Sequence, residues 1–266
     1  MKNQVLILYI ALLLTLPGIV TGQTYKTERD IPYKEISSDS YSNERCRLDV
    51  YYPDTENFKT VVWFHGGGLT GGAKEIPQLL LGKGIGIVAV NYRLSPRVKA
   101  PAYIEDAAAA VAWTFDNIAR YGGDPQQVHV AGHSAGGYLV LMIALDKSYM
   151  GRYGADADRV KGFYSIAGQT ATHFQIRAER GFTANVPVVD KYAPLANVRP
   201  HTPPIILTAG QAELDLACRA VENRYLYEAL KSVGNEQVKF YELSGFEHCT
   251  VIAPSIYLML ENMGIK

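Results

Sequence analysis

A serine in a turn framed by glycines is the first feature of this sequence that could do chemistry. The segment Gly132-His133-Ser134-Ala135-Gly136 fits the pattern G-x-S-x-G, whose central hydroxyl can attack a carbonyl carbon. The apolar residues 128–131 before it predict a buried strand, and residues 136–145 predict a short helix. A sharp turn between the two leaves no space for side chains two positions on either side of the serine, which explains both glycines. We therefore predict that Ser134 is a nucleophile at the positive end of a helix dipole.

A run of three glycines directly follows the predicted strand 60–64. Consecutive glycines leave backbone N–H groups uncovered and allow a substrate to approach closely. The tetrahedral intermediate of acyl transfer needs such donors aimed at its oxygen. We expect the N–H groups of Gly67, Gly68 and Ala135 to form this oxyanion hole.

A serine hydroxyl is a poor nucleophile until a base takes its proton. His248 follows the last predicted strand, and loops at the carboxyl ends of parallel strands form the binding crevice, so we predict that His248 is the base. A carboxylate that orients this imidazole should follow the strand that ends near Thr208. Glu213 and Asp215 both lie there. We favour Glu213, because Asp215 could instead cap the next helix, but Asp215 remains the alternative.

Strands and helices alternate along most of the chain, and this order would position those residues at one edge of a sheet. The stretches that predict strands are 46–52, 60–64, 86–92, 128–131, 161–166, 204–208 and 238–243, and those that predict helices are 103–121, 136–145, 218–233 and 256–263. Such alternation predicts an α/β fold with a mostly parallel central sheet and helices on both faces. We expect one domain over 23–266, with an outer antiparallel strand at 46–52 and a long functional loop or lid at 170–202.

The amino terminus has the order of a secretory signal. Lys2 precedes an apolar run of about 12 residues, shorter than the ~20 that a membrane-spanning helix needs. We expect a signal peptide over 1–22, cleavage near Gly22, and a periplasmic or secreted protein that leaves the membrane; an uncleaved anchor is the alternative. In an oxidising compartment, one disulfide could form among Cys46, Cys218 and Cys249, and the sequence does not say which pair.

The composition restricts the partners that this chain could have. Lys and Arg number 26 and Asp and Glu also number 26, so the net charge is zero and the basic excess of nucleic-acid-binding proteins is absent from the sequence. Hydrophobic residues make up 48% of the 266 residues, which is enough for a substantial core. We expect no nucleic-acid partner, and the sequence leaves the oligomeric state open.

Several further motifs occur in a familiar order. They are His65-Gly66-Gly67-Gly68, Asn91-Tyr92-Arg93-Leu94, Asp106 followed by four alanines, Gly122-Gly123-Asp124-Pro125, the Ser134 turn, Pro194-Leu195 and the late His248. In these motifs the chain resembles the α/β-hydrolases, in particular the esterase/lipase branch with an H-G-G-G oxyanion loop, which includes hormone-sensitive-lipase-like, acetyl and feruloyl esterases. The resemblance implies an α/β-hydrolase fold. It also implies Ser134 as nucleophile and His248 as base. The sequence departs from the family in having no long amino-terminal helical cap, so we expect a fold without a large cap.

The sequence departs from the family pattern at the acid, and more than one function is compatible with it. The family's acid is commonly Asp in a G-x-x-D context, where this sequence has Glu213. We expect a secreted serine carboxylesterase that needs no metal or organic cofactor. It would cleave small-molecule or carbohydrate-linked acetyl or feruloyl esters through an acyl-enzyme. The alternatives are an arylformamidase-like amide hydrolase, which export disfavours, and a non-catalytic binding module, which the intact Ser134 and His248 disfavour.

Overall fold

One sheet of eight strands organises the chain in the order β1-β2-β4-β3-β5-β6-β7-β8. The computed structural model describes residues 23–183 and 186–265, so the predicted signal peptide over 1–22 lies outside the described residues. The strands are β1 (Tyr25–Pro32), β2 (Arg47–Pro53), β3 (Phe58–Phe64), β4 (Gly86–Val90), β5 (Gly123–His133), β6 (Gly162–Ile166), β7 (Ile205–Gly210) and β8 (Val238–Leu243). β2 is antiparallel to β1 and β4, and β3 to β8 are parallel. The predicted, mostly parallel sheet is confirmed.

Helices cover both faces of this sheet. They are α1 (Ser40–Arg45), α2 (Ala102–Asn117), α3 (Ala135–Leu145), α4 (Lys147–Gly151), α5 (Phe174–Glu179), α6 (Arg219–Ser232) and α7 (Ile252–Asn262). Successive side chains of a strand point to opposite faces, so Val62 of β3 packs in a core with α2, α3 and α6, whereas Val61 packs in a second core with α7. The two apolar cores are what hold helices against both sides of the sheet.

Two stretches contain more structure than the sequence predicts. Residues 23–45, for which the sequence predicts no strand or helix, contain β1 and α1. β1 is an edge strand with mostly exposed side chains, so no apolar alternation marks it. The connection 170–202 contains α5 and a short 3-10 turn at Pro194–Asn197.

A buried ion pair fixes the loop that follows β4. Asp106 is fully buried, and it accepts hydrogen bonds from Arg93 Nε at 2.9 Å, Nη2 at 2.8 Å and backbone N–H at 2.9 Å. Lys34 contacts the same carboxylate. Because two cations and a backbone donor satisfy this buried charge, the pair ties α2 to the loop and has a structural role.

No helix among the described residues is long and apolar enough to span a bilayer. Cys46, Cys218 and Cys249 form no disulfide in this structure; Cys46 is buried, and the other two are exposed.

Candidate functional site

Ser134 occupies a strained turn between β5 and α3. Its backbone has φ 54° and ψ −115°, a region that non-glycine residues rarely adopt. The end of β3 passes so close that a Cβ on Gly136 would lie 2.1 Å from the carbonyl oxygen of Phe64. A Cβ on Gly132 would lie 2.6 Å from the carbonyl carbon of Gly136. The steric reason predicted for both glycines is therefore confirmed.

Three side chains form a continuous line of hydrogen bonds. His248 Nε2 lies 2.9 Å from Ser134 Oγ, and His248 Nδ1 lies 2.7 Å from Asp215 Oδ1. An ionised carboxylate can only accept, so Nδ1 carries the proton and Nε2 is left to accept from the serine hydroxyl. The nucleophile and base predicted from the sequence are brought together in this way.

Asp215 is held as an anion by several donors. Its Oδ2 accepts from the Gly210 N–H at 2.8 Å, and its Oδ1 accepts from the Leu216 N–H at 2.6 Å. Burial raises the pKa of this carboxyl, but the hydrogen bond from His248 and the two backbone N–H groups outweigh it, so the pKa lies below its ordinary value. Asp215 is therefore charged at neutral pH and can stabilise a protonated imidazole.

The prediction that Glu213 orients His248 is wrong, and the alternative, Asp215, holds that position. The N–H groups of Leu214 and Asp215 both donate to the carbonyl of Gln211 at 2.9 Å, so the chain turns back directly after β7. This turn points Asp215 toward the end of the strand, where it accepts from the Gly210 N–H, and leaves Glu213 exposed, where it accepts from Gln211 Nε2 at 3.0 Å. No contact joins Glu213 to the imidazole among the described residues.

The glycine loop lies beside the serine. A Cβ on Gly66 would lie 3.4 Å from Ser134 Cβ, and Gly67 and Gly68 adopt positive φ values of 111° and 64°. Within the described parts of the chain, the N–H groups of Gly67 and Gly68 donate no hydrogen bond. Ala135 is the first residue of α3, and the first N–H groups of a helix have no partner inside it. These N–H groups are available to a ligand in the crevice.

His65 fixes the glycine loop from below. Its ring stacks on Tyr92 at 4.4 Å between centroids, and its Nδ1 lies 2.6 Å from the Gly66 carbonyl oxygen. The Tyr92 hydroxyl donates to the His65 carbonyl at 2.9 Å. Burial lowers the pKa of His65 to about 4, so the ring is neutral at neutral pH. His65 is thus a loop-holding residue.

His133 is a site residue that sequence reasoning missed. Its Nε2–H donates to the backbone carbonyl of His248 at 2.8 Å, which ties the Ser134 turn to the His248 loop. Burial lowers the pKa of His133 to about 4, so it makes this bond as a neutral ring. No spacing signal identifies it, because the pattern G-x-S-x-G accepts any residue at this place.

Metal chemistry has no candidate centre in the described residues. No group of three or more His, Cys, Asp and Glu side chains among them could hold an ion. The predicted lack of a cofactor stays a prediction.

Comparison with known proteins places this site in context. The BD-FAE family model matches residues 48–229, which include Ser134 and Asp215. Esterase LipQ of Mycobacterium tuberculosis is 28% identical over 189 residues, covering 64% of this chain and 44% of LipQ. Carboxylesterase NlhH of the same species is 39% identical over 102 residues, covering 36% of this chain and 32% of NlhH. The chain spans less than half the length of these curated relatives.

Solved structures resemble the whole fold. A truncated carbohydrate esterase from gut microbiota superposes with a TM-score of 0.71 at 18% identity, covering 91% of this chain and 98% of that protein. Esterase B from Lactobacillus rhamnosis gives a TM-score of 0.69 at 20% identity, covering 89% and 83%. Together with the sheet order, these similarities confirm the predicted α/β-hydrolase fold.

Proposed function

This chain belongs to the BD-FAE family, and we propose that it hydrolyses carboxylic esters with Ser134 as nucleophile. The observation that carries the proposal is the hydrogen-bonded line in which His248 lies 2.9 Å from Ser134 Oγ and 2.7 Å from Asp215. An imidazole oriented by a buried carboxylate is the arrangement that activates a hydroxyl for acyl transfer. Relatives that are named as esterases support the same reaction.

We propose a role for each member of this catalytic triad. His248 Nε2 takes the hydroxyl proton as Ser134 Oγ bonds to the carbonyl carbon, and Asp215 stabilises the imidazolium that results. The tetrahedral intermediate collapses when the alcohol leaves with the proton from His248. Water then gives a proton to His248 as it attacks the acyl carbon. The bond between that carbon and Ser134 Oγ breaks, His248 returns the proton to Oγ, and the acid leaves.

The oxyanion of each tetrahedral intermediate needs donors that are already in place. We assign this role to the N–H groups of Gly67 and Gly68, in the loop whose Gly66 lies against Ser134, and to that of Ala135 at the start of α3. One such donor contributes ~10²–10³ in turnover, because it meets charge that develops only during the reaction.

For the substrate we propose short-chain or carbohydrate-linked esters, with acetyl and feruloyl groups as the acyl parts. The likeness in fold to a carbohydrate esterase is consistent with this class. We further propose that residues 1–22 are an export leader, so that the enzyme meets plant or microbial polymers outside the cytoplasm. Amino-terminal sequencing of the exported protein tests this leader, and cleavage at the proposed place gives Gln23 as the first residue.

A release screen tests the proposed reaction. The purified protein is offered para-nitrophenyl acetate, acetylated and feruloylated oligosaccharides, and formylkynurenine, and free acid or alcohol is measured. We expect turnover of the esters by the natural protein and none above background by Ser134→Ala. Cleavage of formylkynurenine alone would move the assignment to an amide hydrolase, and inertness toward every substrate would support a binding module.

A further inference from the structure

A cavity of about 570 Å³ lies between the start of α6 and the connection that contains α5. Its apolar wall consists of Pro187, Val189, Leu195 and Val221, and its polar lining includes Gln169, Arg177 and Glu222. An apolar chamber with a few convergent charged groups is typical of a small-molecule site.

Two guanidinium groups lack full partners, that of Arg177 in the cavity lining and that of Arg219, which follows the lining residue Cys218. Arg177 is 6% exposed and Arg219 is 4% exposed. Within the described ranges, neither Nε atom has a hydrogen-bond acceptor, although Arg177 also donates to the carbonyl of Val186. Glu222 Oε1 lies 3.7 Å from Arg219 Nε, and this distance is too long for a hydrogen bond. Buried donors without acceptors are costly, so these groups are suited to an incoming anion.

The balance of charge favours the same ligand. Glu222 is the carboxylate between the two arginines, and its Oε2 already accepts from the N–H groups of Thr170 at 3.2 Å and Ala171 at 3.1 Å. Burial lowers the pKa values of Arg177 and Arg219 and raises that of Glu222. Counted together, Arg177 and Arg219 contribute two positive charges here, and Glu222, which interacts with both, contributes at most one negative charge.

Direct contacts connect the cavity to the catalytic crevice. The ring of Phe174, the first residue of α5, would lie 3.1 Å from a Cβ on Gly68. The Phe174 N–H donates to Gln169 Oε1 at 3.0 Å, and Gln169 lines the cavity. Cys218, also in the lining, follows Asp215 closely along the chain. The cavity and the glycine loop are therefore neighbours that contact each other through Gln169 and Phe174.

We propose that this cavity binds a carboxylate carried by the substrate, with Arg177 and Arg219 as its charged partners and the apolar wall as the surface for the linking hydrocarbon. The inference rests on the proposed ester hydrolysis and narrows its substrates to esters that bear a free carboxylate on the acyl or the alcohol part. A guanidinium matches a carboxylate in shape and can hold both oxygens at once.

Matched esters test the specificity. One pair has the charge on the acyl part, para-nitrophenyl hydrogen adipate against para-nitrophenyl heptanoate; the other has it on the alcohol part, meta-acetoxybenzoate against meta-acetoxy-N-methylbenzamide. In at least one pair we expect kcat/KM to favour the charged ester, and Arg177→Met to lower that preference roughly tenfold or more. Arg177→Lys should retain part of the preference, and Glu222→Gln should increase it. Arg224→Met, which removes a surface arginine of α6 paired with Glu242, is the matched control and should leave it unchanged.

A binding measurement separates this inference from the proposed reaction. Calorimetry with Ser134→Ala and adipate, compared with hexanamide, needs no catalysis; we expect adipate to bind and the added change Arg177→Met to abolish binding. Three results would overturn the inference while ester hydrolysis stands. They are a failure of adipate to bind, the absence of a charge preference from both ester pairs, and a charge preference that Arg177→Met does not change. Binding of adipate with no ester cleaved would overturn the proposed reaction and leave the carboxylate site.

Discussion

Asp215 uses both of its oxygens, and this decides how the imidazole is oriented. Oδ1 accepts from His248 Nδ1 at 2.7 Å, while Oδ2 accepts from the Gly210 N–H at 2.8 Å. A carboxylate in this position fixes the tautomer that leaves Nε2 free to take a proton. Glu213, two residues earlier, is exposed and has no such contact among the described residues.

We predict that Asp215→Asn lowers kcat by about 10⁴, because an amide can present a donor to Nδ1 and stabilise the wrong tautomer. Glu213→Gln should keep kcat within about twofold, since surface substitutions rarely disturb a distant site. The measurement is steady-state hydrolysis of para-nitrophenyl acetate near pH 7. The reverse order of effects would restore Glu213 as the acid.

The sequence predicts the serine and the histidine that the structure brings into contact, Ser134 and His248, but it favours the wrong carboxylate beside His248. The reason is local geometry. The strand, turn and helix around Ser134 are contiguous in sequence, so the chemistry and its support appear together. The choice between Glu213 and Asp215 depends on two hydrogen bonds to the Gln211 carbonyl, which decide the side chain that turns inward. Spacing from the end of a strand contains no information about such a turn.

At the level of elements, the close approach of β3 and α3 sets the geometry of the site. The 2.1 Å between a Cβ on Gly136 and the Phe64 carbonyl oxygen is a contact with backbone, which cannot rotate away. A Cβ on Gly151, at the end of α4, would have no heavy atom of the described residues within 4 Å apart from those of its own helix and chain neighbours. The two glycines therefore form a natural comparison.

We predict that Gly136→Ala lowers the free energy of unfolding by more than about 2 kcal/mol, because the backbone of β3 or α3 must shift. Gly151→Ala should be neutral or stabilise by up to about 1 kcal/mol, since alanine reduces the freedom of the unfolded chain. Urea denaturation followed by circular dichroism measures both. Equal effects for the two variants would contradict the steric account.

Elements were predictable where burial left an apolar pattern. The strands of the parallel sheet are nearly continuous apolar runs, as residues buried on both faces must be. β1 has mostly exposed side chains, and α5 is a helix of six residues, so neither has the repeat that a pattern needs. The cavity beside α5 was unpredictable for the same reason.

At the level of the whole molecule, four buried histidines couple stability to pH. His65, His129 and His133 have pKa values lowered to about 4, and the pKa of His173 lies well below its ordinary value, in each case mainly because of burial. In the unfolded chain they return to about 6.5, so between these values the unfolded state binds more protons. Their contribution to stability is complete above about pH 6.5 and is lost as the pH falls toward 4.

We predict that the free energy of unfolding decreases steadily between about pH 6.5 and pH 4.5, as measured by urea titration at each pH. His129→Gln should make this decrease less steep, because it removes one titrating ring. His129 lies within β5, beside Val61 of β3, and is not a member of the triad. A stability that is constant over this interval, or an undiminished slope in His129→Gln, would contradict the assignment of neutral buried rings.

The central claim is that the Ser134 hydroxyl becomes acylated with help from His248. The most direct measurement is the intact mass of the protein after treatment with a fluorophosphonate, followed by peptide mapping of the modified residue. We predict a single adduct on Ser134, absent from Ser134→Ala and formed far more slowly in His248→Ala. A folded natural protein that gains no adduct, or gains it at another residue, would contradict the account.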